Sequence, residues 1–459
     1  MALLDRFTVA AYAVYFIIPF LFLVGAYRVK LHPLRRYPGP LLAKLTDYIY
    51  QNPNMTKSHL YVFSRLRGSP SIFSTIEKKR HRQKRQFFSQ ALSDRLMSMF
   101  EPVLLEHITT FLQLILKSTR NSEPLDMSSR CQYLTFDIIG SLAVGQRLNL
   151  QLNDTNRILL QILIAAKYRV NILMHFPPLR ILNPVLKMIP SRPAREFARA
   201  VANMVKIRTA QTVDGQRDLC SFLAQPASEG VFESTWSELI FFITAGGTPP
   251  AATICAIIFY LSQDPERYAL LTMEIRSTFS SADEITSGAR LSSCKYLRAC
   301  IDESLRMNPP SLATLWREQS EDGGESMIID GHVVPRGTQV GVNIYSLHHN
   351  EEYFPEPFSM YDAFVPFLVG PRSCSGKAMV YQEVSLIIAK TLWYFDFELC
   401  SGALGNVGGG EAGNRQGRDR VGEFQMFDVF NSHHQGPNLI FKTRGGFYTD
   451  LERGTETVG

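Results

Sequence analysis

The chain has 459 residues, 45% of them hydrophobic, which is enough apolar material for one large core or two smaller ones. Charged residues make up 20% and the formal net charge is +6, an excess suited to a docking or membrane-proximal surface and too mild for a nucleic-acid footprint. The seven cysteines show no C-x-x-C spacing, so neither a zinc site nor a disulfide framework organises the fold, and the odd count suits a reducing compartment.

Thr8 to Tyr27 carries no charge and is rich in Phe, Val, Ile and Leu, long enough to span a bilayer as a helix. Arg28, Lys30, Arg35 and Arg36 follow, against an amino end bearing only Asp5 and Arg6, a bias that puts the body of the protein in the cytosol. The run is too long for a cleaved signal peptide, and no small-residue cleavage pattern follows it. The expected division is a short luminal start (residues 1–7), a transmembrane anchor (8–27), a basic, proline-bearing hinge (28–40) and the main domain (41–459). Tyr37-Pro38-Gly39-Pro40 makes the hinge stiff, because proline fixes φ and stops a helix.

Within the domain, Lys78 to Arg85 is a basic run leading into Phe87-Phe88-Ser89. Lys78, Lys79 and Lys84 read as a solvated helix face, while His81 and Arg85, four apart, share another. Leu104, Leu105, Ile108, Phe111, Leu112 and Ile115 make one helical stripe, and Leu134, Ile138, Ile139 and Leu142 a second. Pro177-Pro178 and Pro184 to Pro193 mark loops. Glu233 to Gln263 reads as one long helix, with Ser234 as cap and Asp264-Pro265 as its end. Its middle, Ala245-Gly246-Gly247-Thr248-Pro249-Pro250, should kink, since two prolines remove N–H groups and press on earlier carbonyls. Those opened carbonyls have room for a water chain, and two readings of Thr248 stay open, a working hydroxyl or a side chain that satisfies a backbone carbonyl. Glu303 and Arg306, three apart, lie on one face of a helix that ends at Asn308-Pro309-Pro310. Met327 to Tyr345 reads as hairpins around Asp330-Gly331 and Pro335-Arg336-Gly337. Ser401 to Arg420, rich in Gly, Asn and Arg, reads as a mobile loop, with strands at Phe424 to Phe430 and Leu439 to Lys442.

The most informative stretch is Phe367-Leu368-Val369-Gly370-Pro371-Arg372-Ser373-Cys374-Ser375-Gly376, which reads F-x-x-G-x-R-x-C-x-G. A lone thiolate is a strongly donating ligand for haem iron. A helix starting just past Cys374 and running to about Trp393 would favour the deprotonated sulfur through its dipole and free N–H groups. Gly370 and Gly376 permit a close backbone approach or positive φ. Arg372 has the reach and charge to meet a carboxylate, and Phe367 would shield the sulfur.

This stretch resembles the cysteine-ligand loop of the cytochrome P-450 family of haem-thiolate monooxygenases. The resemblance spans roughly residues 28–445. It implies a mainly α fold with small β-sheets behind an N-terminal transmembrane helix, in the endoplasmic reticulum membrane with the catalytic domain facing the cytosol. Haem b would be held through Cys374 as metal ligand, with electrons from NADPH through a cytochrome P-450 reductase, or from cytochrome b5. One oxygen atom from O2 would enter a hydrophobic small molecule. By the same resemblance His81, Arg85, Arg372 and Arg317 would grip haem propionates, Phe367 and Gly376 would line the sulfur, and Glu303 with Arg306 would buttress the loop. Gly246 would leave room for oxygen and Thr248 would assist proton delivery. The anchor and hinge look most like filamentous-fungal members that hydroxylate terpenoids, trichothecene-type compounds or related secondary metabolites.

The chain departs from the family pattern at four places. The small sheet expected between the hinge and the next helices is missing near 47–48. The acid and alcohol positions of the long helix hold Thr248 and Pro249. The arginine that completes a three-way lock with Glu303 and Arg306 is missing near 360–361, leaving Glu303 with Arg306 alone. These departures motivate two alternatives, a haem-thiolate isomerase or dehydratase needing no reductase, and a relic or erroneous gene product that binds haem poorly.

Overall fold

The computed structural model describes residues 70–158, 160–165, 231–312, 314–315, 317–318, 327–329, 331–335, 338–354, 361–414, 418–429 and 431–453, with isolated positions near 19–31, at 168 and at 219. The chain divides into two compact units, residues 1–60, 171–188 and 314–343, and residues 61–170, 189–313 and 344–459. The departure near 47–48 falls outside the described residues, as do residue 360 at the one near 360–361, hinge residues 32–40 and both proline-marked loops.

The larger unit is helical. α1 (Lys78–Ala91) and α2 (Asp94–Thr119) come first, and in α2 the expected stripe of Leu104, Ile108, Phe111, Leu112 and Ile115 is buried. β1 (Leu125–Asp126) leads into α3 (Met127–Val144). The Asp126 carboxylate caps α3 by accepting from the Ser128 and Ser129 amides at 3.0 and 3.3 Å, and Gly145 ends it in the left-handed region at φ 62°. α3 lies along α4 (Val231–Gln263), the longest helix of this core. α4 starts at Val231, which places Ser234 inside its first turn rather than at its cap. It continues as one helix through Pro249 and Pro250, the two residues at which the sequence predicts a kink. α5 (Pro265–Thr278) follows, capped by Asp264 through the Arg267 amide at 3.0 Å, then α6 (Lys295–Met307).

In the smaller unit, β2 (Arg317–Glu318) pairs antiparallel with β5 (Gln339–Val340). Between them β3 (Met327–Ile329) and β4 (His332–Val334) form the expected hairpin, with Gly331 at φ 73° in its turn. The chain returns to the larger unit with α7 (Ile344–His348) and α8 (Lys377–Tyr394), followed by β6 (Phe395–Leu399), β7 (Met426–Phe427), β8 (His433–His434) and β9 (Asn438–Thr443). β9 lies between β1 and β6 in an antiparallel sheet, while β7 pairs with β8. The two strands read near the carboxyl end therefore do not pair with each other, and the first shrinks to Met426–Phe427.

Ser401 to Arg420 is folded where described. The Glu411 amide donates to the Arg418 carbonyl at 2.9 Å, the Gln425 amide to Gly408 at 2.7 Å, and Gly409 lies near the Phe259 ring. Gly408 and Gly410 lie where an added Cβ would come within 3 Å of neighbouring backbone, the Gln435 and Arg420 carbonyls, so glycine there serves close packing. Among the described residues, Asp94–Thr119 and Ser237–Gln263 are long and apolar enough to cross a membrane, yet both place side chains in this core.

Candidate functional site

The cysteine loop is shaped by its backbone before any side chain acts. The Cys374 amide donates to the Phe367 carbonyl at 2.8 Å and the Leu368 amide to Val365 at 3.0 Å. Leu368 sits at φ 61° and Gly370 at φ 73°. For Leu368 the left-handed region is costly, by about 1–2 kcal/mol, and such strain persists only where surrounding bonds impose it. α8 begins right after Gly376, as the sequence implied, and the Val380 amide donates to the Gly376 carbonyl at 2.9 Å.

Cys374 is accessible to solvent. Desolvation pushes its pKa up, opposed by the Gly376 N–H and the Arg85 charge, so the donors that would favour a thiolate are in place. A metal that takes the sulfur displaces the proton. The Phe367 ring packs against Tyr381 at 5.4 Å, and the Tyr381 hydroxyl donates to Asp302 on α6 at 2.5 Å, so the aromatic of the motif ties the loop to the Glu303 helix.

Three of the residues expected at the propionates, two of them cationic, lie beside this loop. Arg85 donates to the Ser373 carbonyl and, at 3.2 Å, to the Ser373 hydroxyl, clamping the residue before the ligand. Arg372 donates to the Ile76 carbonyl at 3.3 Å. His81 is buried, and desolvation together with the Arg372 and Arg85 charges lowers its pKa to about 4, so it is neutral at pH 7. Lys84, read from sequence as solvated, is instead paired with the buried Glu238 of α4, whose other oxygen accepts from the Ile72 amide at 2.8 Å. Arg317 lies on β2 in the smaller unit and is exposed.

Glu303 and Arg306 form a two-pronged pair, Nε to Oε2 and Nη2 to Oε1, each 2.7 Å. The Glu303 side chain is 35% exposed, so its charge is not sealed away from water. Arg306 also donates to the His348 carbonyl at 2.8 Å. His348 is wholly buried and had no signal in the sequence, because its partners lie on α6 and in the cysteine loop.

In α4, a Cβ added at Gly246 would stand 2.5 Å from Ile139, and one at Gly247 2.6 Å from Phe136. The position a Gly246 side chain would take is therefore occupied by Ile139 of α3. Thr248 is buried. Of the hydroxyls at this crossing, that of Thr135 donates to the Gly247 carbonyl at 2.7 Å and that of Thr253 to Pro249 at 3.0 Å. The prolines are accommodated in a helix stiffened by packing and side-chain donors.

Among the described residues no group of three or more His, Cys, Asp or Glu comes together as a metal cluster. A single thiolate such as Cys374 is the donor of a haem with an axial sulfur ligand. Among the described residues, a Cβ at Gly376 would meet only the Cys374 sulfur, at 3.9 Å, so no described residue fills that face beside the thiol. The accessible thiol, that clear face and the adjacent cations fit a flat, carboxylate-bearing macrocycle.

A model of the family described as Cytochrome P-450 matches residues 46–404. A cytochrome P-450 monooxygenase of Gibberella zeae is 32% identical, the alignment covering 87% of this chain and 97% of that protein. The cytochrome P-450 monooxygenase poxM of Penicillium oxalicum is 30% identical over 86% of this chain and 90% of its own. AKT7 of Alternaria alternata, named likewise, is 29% identical over 91% and 94%.

Proposed function

The chain belongs to the cytochrome P-450 monooxygenases, and from that we propose that Cys374 is the axial thiolate of a haem b used to oxygenate a hydrophobic secondary metabolite, a terpenoid or a related compound. The observation that carries this reading is the accessible Cys374 thiol on a loop whose backbone is held by Phe367 and clamped through Ser373 by Arg85. Bound there, haem supplies the oxygen-activating chemistry, fed by electrons from NADPH through a cytochrome P-450 reductase or from cytochrome b5. The Gly376 N–H and the Arg85 charge stabilise negative charge on the sulfur. Arg372 and Arg85, with the neutral His81 beside them, are the cations and donors for the propionates. Glu303 and Arg306 hold the helix behind the loop, and Phe367 packs beside it. Thr248 is the hydroxyl for proton delivery.

Residues 8–27 anchor the protein in the endoplasmic reticulum membrane as a single span, with residues 1–7 luminal, 28–40 as hinge and 41–459 cytosolic. The described positions of that span favour this reading, being helical and leaving Phe20, Phe22 and Leu23 exposed. The reduced, carbon-monoxide-bound spectrum of the purified chain tests the haem assignment. The long-wavelength Soret band of a thiolate-ligated haem is expected, and it should vanish in Cys374→Ala; its absence from the wild type overturns the reading. Pro249 at the alcohol position favours one second reading, a haem-thiolate isomerase or dehydratase, which turnover without NADPH or a reductase would reveal.

A further inference from the structure

We propose that His348 is a positioning residue, the link through which the Glu303–Arg306 helix fixes the cysteine loop; the claim rests on the reading of Cys374 as haem ligand. His348 closes α7 with its ring wholly buried, stacked on Phe364 at 5.6 Å and edge-on to Phe354 at 5.9 Å. The Val365 amide donates to its Nε2 at 3.0 Å. A backbone N–H can only donate, so Nε2 carries no proton and Nδ1 must. Nδ1 then donates to the Arg306 carbonyl at 3.2 Å, while the Arg306 guanidinium donates back to the His348 carbonyl at 2.8 Å. Each residue thus bonds the other's main chain, a reciprocal pair between α6 and α7.

From Val365 the connection continues to the ligand. The Val365 carbonyl accepts from the Leu368 amide at 3.0 Å, at the residue forced into the left-handed region, and the adjacent Phe367 carbonyl accepts from the Cys374 amide at 2.8 Å. A neutral imidazole suits this place because it donates at one end and accepts at the other. Arg306 can only donate, so it cannot itself receive the Val365 N–H. Burial keeps the ring neutral, with its pKa lowered to about 4.

The test uses full-length holoenzyme of the wild type and of His348→Phe, His348→Asn and His348→Gln. Phe keeps the ring packing and loses both polar ends. Asn keeps a donor near Nδ1 without an acceptor near Val365, and Gln places an acceptor near Nε2. Two readouts are taken: amide hydrogen exchange at Val365 in the ferric protein, and the fraction of carbon-monoxide-bound reduced haem in the thiolate-type Soret band. Phe and Asn should speed Val365 exchange by about tenfold or more, as a lost buried partner does, and lower the thiolate fraction. Gln should stay near wild type in both. Should Phe fail to fold, the Asn and Gln pair carries the test. Wild-type behaviour of Asn, or loss in Gln equal to that in Asn, overturns the proposal. If the wild type itself lacks the thiolate band, the Cys374 reading fails, while the exchange contrast still decides whether His348 holds the loop.

Discussion

Two pairs of glycines in this protein do opposite work. At the cysteine loop, among the described residues, nothing lies within 4 Å of a Cβ added at Gly370, and only the Cys374 sulfur, at 3.9 Å, near one at Gly376. At the α3–α4 crossing, the same positions at Gly246 and Gly247 are taken by Ile139 and Phe136. Space left open beside a reactive thiol is space for a ligand. Space already filled by a neighbouring helix is packing, whatever motif the glycine belongs to. The crossing is held by shape and the loop by long-range hydrogen bonds, so each should fail in its own way.

The largest effect is expected at the crossing. Gly246→Ala puts a methyl 2.5 Å from Ile139 in a region with no slack, and should cost about 3 kcal/mol of stability, read as a lower thermal midpoint. Ile139→Ala in the same chain should return part of it, since the clash is with that side chain. If Gly246→Ala is as stable as the wild type, the filled-space half of the comparison breaks.

The next prediction concerns α8, the helix that opens at Gly376. Its Glu383 is buried with neither carboxylate oxygen hydrogen-bonded, and desolvation raises its pKa to about 8. Between the ordinary carboxylate value and about 8 the folded chain holds a proton that the unfolded chain has released. Native stability should therefore fall as pH rises through this window. Glu383→Gln removes the titration, so its stability relative to wild type should grow by about 2 kcal/mol from pH 6 to pH 8. Denaturant unfolding at the two pH values measures it; a constant difference would mean that the carboxyl is ionised in place.

How far the sequence could carry this comparison depended on whether the deciding contact was local. Cys374, Arg372 and Gly376 lie within one short loop, so their chemistry is legible from spacing, as is the Glu303–Arg306 pair from helical geometry. The start of α8 and the buried stripe of α2 followed from periodicity for the same reason. The contact of Gly246 with Ile139 was not legible, because a motif gives the residue type but not which neighbour faces it. His348 escaped notice because its partners are 42 and 17 residues away in the chain. The Ser401 to Arg420 segment looked mobile because glycine content alone does not separate a flexible loop from one whose backbones touch. β6, unforeseen after α8, owes its form to pairing with β9.

A smaller effect belongs to Gly370. With open space around its absent side chain, Gly370→Ala should cost only the backbone strain of φ 73°, about 1 kcal/mol. A loss several times larger would show a contact where the structure has none.

The smallest effect on folding, and the sharpest on function, is expected at Gly376. Its φ of −90° is open to any residue, and an added methyl would meet protein only at the sulfur. Gly376→Ala should leave the stability of the haem-free chain within about 0.5 kcal/mol of wild type, the range of a substitution that disturbs no contact. The same methyl would stand on the face kept clear beside Cys374, so haem content per chain and the thiolate-type Soret band should both fall. Folding and ligand retention thus separate in one substitution, where Gly246→Ala harms folding first. Equal haem content in Gly376→Ala and wild type would mean that the open face is not where the macrocycle lies, and the loop glycines would join those of the crossing as parts of the fold alone.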